Sequence, residues 1–480
     1  MVKLPAFVIE FPPFFAGDFA GAFAARAAGF SRQSMQAFGV QFGYFLRTLS
    51  PIENSVPQRS QVNIAAQRIG GGGCVRPVAN GVHCRTNVRV GGPHVTLRME
   101  LLAGGLAALV ERHRQRAAAL DAALAAANDA ARAWADDPAG GDARIHAAMA
   151  NNPAPYATTF GEPPTATFAI PPFAPCTVVA ADGSSIDPDR FAPVPCFVIN
   201  TGWAVLPYRV GGEAALGSKP WVGPREAASD SGEDDGGDAS PGGRGWGVSL
   251  LRDIEERETG IHLARERLAH GPVVLLFDGT FLPWDLDSPR IAARVRKQVM
   301  RRLLDALALL ATGDEPISAG AYISGSRSGD VATSLAVLAG QDPEHWLDAD
   351  SLFFAALLGE GERSALFRAR SQRGQTVEQQ VPPESQVAFF YLRTGGDVAR
   401  VELPIWAATP DRVARLHATL IDQCARCDGY PRALQEAHEQ AVISGGDRQQ
   451  FARLLETEAA RQRVYPALNG KQSSKRRRAV

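Results

Sequence analysis

The chain has 480 residues, enough for two or three domains, and a formal net charge of −1, so overall charge excludes a general polyanion binder and leaves only local patches. Hydrophobic residues make up 45%, as in ordinary globular proteins, yet no apolar run reaches the roughly 18 residues that a membrane span needs. Six cysteines over this length exclude a disulfide framework, and Pro5, Glu10, Pro12 and Pro13 interrupt any secretory core, so a cytoplasmic setting is expected.

Residues 1–95 show aromatic clusters without period and a glycine run at Gly70–Gly73. They are expected to be disordered or outside the fold, even upstream sequence included by a misassigned start. From Met99 the pattern changes sharply. Leu102, Leu106, Leu109, His113, Leu120 and Leu124 keep roughly helical spacing, which predicts a helical arm over 96–150 suited to dimerisation. A Pro-rich stretch over 151–175 reads as a linker, and 176–470 as the main domain, followed by a basic tail over 471–480.

Within that domain, Thr177-Val-Val-Ala-Ala-Asp-Gly-Ser184 and Val273-Val-Leu-Leu-Phe-Asp-Gly-Thr-Phe-Leu282 have one shape, an apolar strand ending in a lone acid and a glycine. Two such strands side by side bring two carboxylates together, an arrangement suited to a divalent metal. After Asp182 a polar turn leads to two further strands, Pro195–Gly202 and Trp203–Arg209, as in a meander. Residues 226–246 form an acidic, Gly/Ser-rich insertion. A helix over Val248–Leu268 follows, with Glu256 and Glu258 near its apolar stripe, then a long basic helix over Pro289–Leu310. The strand at Ala319–Ser328 precedes a hairpin over residues 386–406, and helices rich in Arg and Glu close the chain. The order fits one mixed α/β sheet with helices on both faces, as in a ribonuclease-H-like fold. Cys424 and Cys427 have only His417 and His438 nearby and no second pair, so they are read as incidental.

Several ordered motifs resemble the NurA nuclease family. These are Asp182–Arg190 with Pro195–Asn200, Phe277–Leu282 with Trp284, Tyr322–Arg327 with Asp330, Phe389–Leu392 with Arg400–Pro404, and Gly429–His438. The resemblance implies a ribonuclease-H-like, manganese- or magnesium-dependent deoxyribonuclease, acting 5′–3′ on ends and internally on single strands. It further implies a homodimer working with a hexameric HerA-type ATPase translocase, in DNA end processing or phage defence. Carried onto this sequence, Asp182 is the bridging metal ligand, Asp278 and Glu256 complete the shell, and His438 is a ligand or proton-transfer group. Glu258 remains open as the helix carboxylate. Ser324, Arg327 and Tyr430 are assigned to support or phosphate contact; Lys471 and Lys475 in the basic tail could touch the DNA backbone or a partner, and a solvated tail reads equally well. Arg400 and Glu402 read equally well as a structural pair.

Two rival readings remain. A non-catalytic subunit could keep the nuclease fold and clamp only the translocase. An actin-like or sugar-kinase fold could use Asp-Gly-Thr turns on nucleotide phosphates, although the glycine-rich adenosine loop expected further on is missing. Metal-dependent DNA cleavage separates these from a nuclease.

Overall fold

The computed structural model describes residues 103–189, 192–228, 246–311, 316–343, 350–370 and 377–464. Residues 1–95, positions 229–245 of the acidic insertion, and the tail with Lys471 and Lys475 lie outside the described residues.

Two helices, α1 (Ala103–Asp136) and α2 (Pro138–Met149), precede the short strands β1 (Tyr156–Thr159) and β2 (Thr167–Phe168). Three long strands follow, β3 (Cys176–Ile186), β4 (Cys196–Tyr208) and β5 (Ala215–Pro224), then helices α3 (Arg225–Ala228) and α4 (Trp246–Arg267). Strand β6 (Val273–Asp278), helix α5 (Ala293–Leu310) and strand β7 (Ile317–Ile323) form a parallel crossover. Helices α6 (Asp330–Ala339) and α7 (Asp350–Leu357), strands β8 (Arg363–Ser364) and β9 (Phe367–Arg370) and helix α8 (Val377–Gln380) come next. The hairpin β10 (Val387–Thr394) and β11 (Asp397–Pro404) leads to α9 (Pro410–Ala425), α10 (Arg432–Ala441) and α11 (Gly445–Arg461).

The eleven strands described form one mixed sheet, with the main order β1-β9-β10-β11-β7-β6-β3-β4-β5. Its centre, β3, β6 and β7, is parallel, while β4 and β5 continue antiparallel from β3. The uninterrupted apolar run of β6 needs cover on both faces, and helices supply it. On one face Val179, Leu275 and Phe277 pack with α4 and with the stripe Val295, Val299, Leu303 and Leu307 of α5. On the other, Val178, Val274 and Leu276 meet Leu416 and Leu420 of α9 and Leu434 of α10. A third cluster joins the second half of α1 with α2, α6 and α7 over β9 and β10, around Trp134, Leu335, Phe354, Phe367 and Phe389. The predicted helical arm is therefore anchored along its C-terminal half, whereas Leu106, Leu109 and Val110 near its start are exposed.

Three sequence expectations need correction. The Pro-rich stretch is not only a connection. Its β1 pairs with β9 and its β2 with β8, and the buried Ala157 N–H donates to Ser334 Oγ at 2.9 Å. The two strands expected on either side of Gly202 are one strand, β4, because Gly202 packs against a helix and makes no turn there. Asp182 likewise does not end β3. Gly183 pairs on with Thr201 and the strand runs to Ile186, while side-chain burial stops at Ala181.

Candidate active site at the strand ends

The site begins where β3 and β6 leave the core. Asp182 stands opposite Gly202 on β4, and Asp278 is the last residue of β6, beyond five buried ones. Two helices close in from opposite faces. From one side comes α4, with Glu256 resting over Gly183, where a Cβ would sit 2.6 Å from Glu256 Oε1. From the other comes α10, whose backbone lies so close to Gly202 that a Cβ there would be 2.4 Å from Ala441 N. The alanines Ala433, Ala437 and Ala441 make that approach possible, being small on the buried side of the helix. Ser184 Oγ and Asn200 Nδ2 donate to the Ala441 carbonyl at 2.5 and 2.8 Å, pinning the helix end. His438 is thereby held with Nδ1 2.6 Å from Asp182 Oδ2.

Asp182, Glu256, Asp278 and His438, from four separate elements, line one cleft of about 460 Å³. The sequence reading missed Arg257 of that lining, and before it Arg252 and Asp253. Arg252 and Asp253 lie four and three residues before Glu256, a spacing that puts them and Glu256 on one helix face and that could have revealed them. Arg252 is ion-paired with Glu256 at 3.2 Å and donates to Asp253 Oδ1 at 3.2 Å. Glu258 turns away instead. It accepts from Arg302 Nε of α5 at 2.8 Å, and the same guanidinium also binds Glu255. Of the two acids left open by the sequence, Glu256 is the one in the cleft.

The loop after Asp278 is held from two sides. Arg257 donates to the Thr280 and Phe281 carbonyls at 2.7 and 3.1 Å, and also to the Asp253 carbonyl at 2.8 Å. Glu402 Oε2 accepts the Phe281 N–H at 2.9 Å, while its other oxygen binds Arg400 at 2.9 Å. Arg400 in turn reaches Asp330 at 2.7 Å, so Arg400 and Glu402 belong to a buried scaffold behind the loop.

Charge is unbalanced in this cleft. Burial, then the charges of Asp253 and Asp182, push the Glu256 carboxyl well above the usual carboxylate range, with Arg252 and Arg257 opposing. Burial also raises Asp278, with a bond from the Tyr430 hydroxyl holding it back and the Asp182 charge adding to the rise. The Tyr430 hydroxyl is itself pushed up, by burial and then by Asp278. His438 is raised, first by its hydrogen bond to Asp182.

Ser324 and Arg327 are exposed in the segment after β7 and do not line the cleft. Cys424 is buried with its Sγ 3.9 Å from the Tyr322 hydroxyl, and His417 is bonded to the Gly361 carbonyl at 2.7 Å. No three His, Cys, Asp or Glu side chains among the described residues converge closely enough to hold an ion as they stand. In the cleft each is turned to a neighbour: Asp182 to His438, Asp278 to Tyr430, Glu256 to Arg252. The donor set nevertheless suits a hard divalent cation, being carboxylates with one imidazole, and such a charge would offset the burial and the repulsion that together raise Glu256.

Fold and site together define a mixed α/β domain with a carboxylate–histidine cleft at the carboxyl ends of its parallel strands, where open sheets of this kind place their ligands. The model of the NurA domain matches residues 176–443, more than half of the chain, and the chain belongs to the NurA domain family. A solved structure titled as the NurA nuclease from Sulfolobus solfataricus is similar at 15% identity and a TM-score of 0.40, covering 62% of this chain and 88% of that one. None of the curated proteins matches the chain.

Proposed function

We propose that the protein is a divalent-metal-dependent deoxyribonuclease with a ribonuclease-H-like core. The observation that carries this reading is the meeting of Asp182, Glu256, Asp278 and His438 in one cleft, within the stretch that the NurA domain covers. The strand order β5-β4-β3-β6-β7, with β4 alone antiparallel to its neighbours there, supports a ribonuclease-H-like frame.

Asp182, Glu256, Asp278 and His438 are the residues that would hold manganese or magnesium. When bound, a metal pair activates water and stabilises the leaving oxygen of a phosphodiester. The protein's own part is placement and proton handling. Asp182 orients the His438 ring through Nδ1, which leaves Nε2 to exchange a proton with solvent or substrate. Tyr430 holds the Asp278 carboxylate in position, and Arg257 fixes the loop behind it. In the proposed setting the protein works as a homodimer beside a hexameric HerA-type translocase in the cytoplasm, cutting DNA from 5′ ends and within single strands.

The test is cleavage of end-labelled linear single- and double-stranded DNA by the full chain with manganese, magnesium or EDTA. Metal-dependent products that vanish in Asp182→Ala and Asp278→Ala are expected. Absence of cleavage, even with the cognate translocase added, would favour a subunit that only binds that partner.

A further inference from the structure

The long basic helix foreseen in the sequence takes no part in the cleft, yet it starts beside it. As the crossover between the parallel strands β6 and β7, α5 begins at the same sheet end as Asp278. Between them lies the turn Trp284–Asp287, which packs against the cleft helix α4, its Leu286 buried in one cluster with Leu251 and Ile254. Arg294, Lys297 and Arg301 follow at intervals of three and four residues, all exposed, with Arg290 just ahead in the preceding turn. At about 100° per residue these positions share one face of the helix, opposite the buried stripe of Val295, Val299 and Leu303. From Arg294 to Arg301 the stripe rises about 10 Å, a length that two or three consecutive phosphates of one strand can span.

Resting on the nuclease reading, we propose that this face of α5 is a track for the phosphodiester backbone of the DNA strand entering the cleft. The argument is charge complementarity. The cleft carries four carboxylates, Asp182, Asp253, Glu256 and Asp278, which repel a phosphate chain. Its three basic side chains are already engaged: Arg252 by Glu256 and Asp253, Arg257 by main-chain carbonyls, and His438 by Asp182. A polyanion therefore needs cations beside the cleft, and the stripe on α5 supplies them. Among the described residues Asp305 stands 4.0 Å from Arg301 and Arg294 donates to the Glu226 main-chain carbonyl, while Arg290 and Arg294 hold further contacts, so Lys297 and Arg301 are the cations most open to a phosphate. Arg301 remains 86% exposed.

The experiment compares the full chain with Arg294→Gln/Lys297→Gln/Arg301→Gln, and with Lys297→Gln/Arg301→Gln, which leaves the Glu226 contact in place. Binding of a fluorescein-labelled oligonucleotide of about 20 nucleotides is followed by anisotropy in EDTA across a salt series, beside one of about 4 nucleotides. Removing three phosphate contacts should lower the slope of log K against log salt by about 2, so that the wild-type advantage shrinks roughly 20-fold between about 50 and 200 mM salt. The short oligonucleotide should show no such difference, and the unfolding midpoint should stay the same. A triple variant with unchanged affinity and slope on the long oligonucleotide overturns the proposal, as does one that binds DNA more tightly, which would assign the stripe to an acidic protein surface. Binding is read without metal, so a wild type that binds with the steep slope but never cleaves would sink the nuclease reading and leave the track standing.

Discussion

Replacing Gly202 with alanine tests how the cleft is assembled. The added methyl group would lie 2.4 Å from Ala441 N and 2.5 Å from Ala437 O, whereas ordinary contact starts near 3.4 Å. Both atoms are main chain, so no side-chain rotation relieves the clash. Helix α10 must retreat by about 1 Å, and overpacking of that kind costs about 1–3 kcal/mol. The retreat also stretches the bonds from Ser184 and Asn200 to the Ala441 carbonyl and draws His438 away from Asp182. A 1 Å error in a positioned catalytic group lowers rates on the order of 100-fold. Single-turnover cleavage with manganese and thermal unfolding measure the two effects, and NMR titration of His438 supplies a third reading independent of activity. The His438 pKa should fall back towards the ordinary histidine value as its bond to Asp182 is lost. A variant with wild-type cleavage, an unchanged unfolding midpoint and an unshifted His438 would refute this account of α10.

Other outcomes follow from the same geometry. In EDTA at neutral pH, Glu256→Gln should stabilise the protein, because a carboxyl raised in the fold binds more protons there than in the unfolded chain. Stability then falls as pH rises between those two pKa values, so the gain should vanish below about pH 4, where both states are protonated; denaturant titrations at both pH values decide. His438 carries the opposite signature. Being raised, its pair with Asp182 stabilises fully below about pH 6.5 and is lost as pH climbs through the folded value, so the deficit of His438→Gln in EDTA should be largest in acid; a deficit that grows with pH would contradict it. Glu258→Gln, which loosens only the Arg302 contact, should keep metal-dependent cleavage while Glu256→Gln loses it, and equal activities would put the helix carboxylate in doubt. Arg257→Ala should cost about 2–4 kcal/mol in thermal or denaturant unfolding, since the buried Phe281 and half-buried Thr280 carbonyls lose their donor; an unchanged midpoint would show that the loop is held by Glu402 alone.

The two Asp-Gly strands were legible because an apolar run that stops at one acid leaves few other uses for it. Helix α5 was legible for a similar reason, its period being strong and its caps unneeded. Gly202 was misread because Thr-Gly-Trp looks locally like a strand boundary. What demands a glycine there is a helix whose carbonyl meets Asn200 across 241 residues of sequence, a constraint no local pattern carries. Asp253 was within reach, since its spacing from Glu256 gave the shared face, but nothing in the sequence said which face turned to the strand ends. A polar turn after a strand, such as the one with Ser324 and Arg327, reads the same whether it faces a cleft or solvent; both lie exposed outside the cleft lining. Strand β1 is four residues long, too short for an alternation to stand out beside prolines.

The contact between Asp182 and His438 spans 256 residues of sequence, and that span sets an order of events during synthesis. Strands β3 and β6 and helix α4 leave the ribosome first, carrying all the cleft's carboxylates. At a rate of about 5–20 residues per second, α10 follows β6 by roughly 10–30 seconds. Until it docks, Gly202 and Asn200 lie uncovered and Asp182 lacks its imidazole. A nascent chain thus holds an unfinished cleft from the completion of β6 until α10 arrives, a delay built in before the proposed nuclease can act on any nucleic acid near the site of its birth.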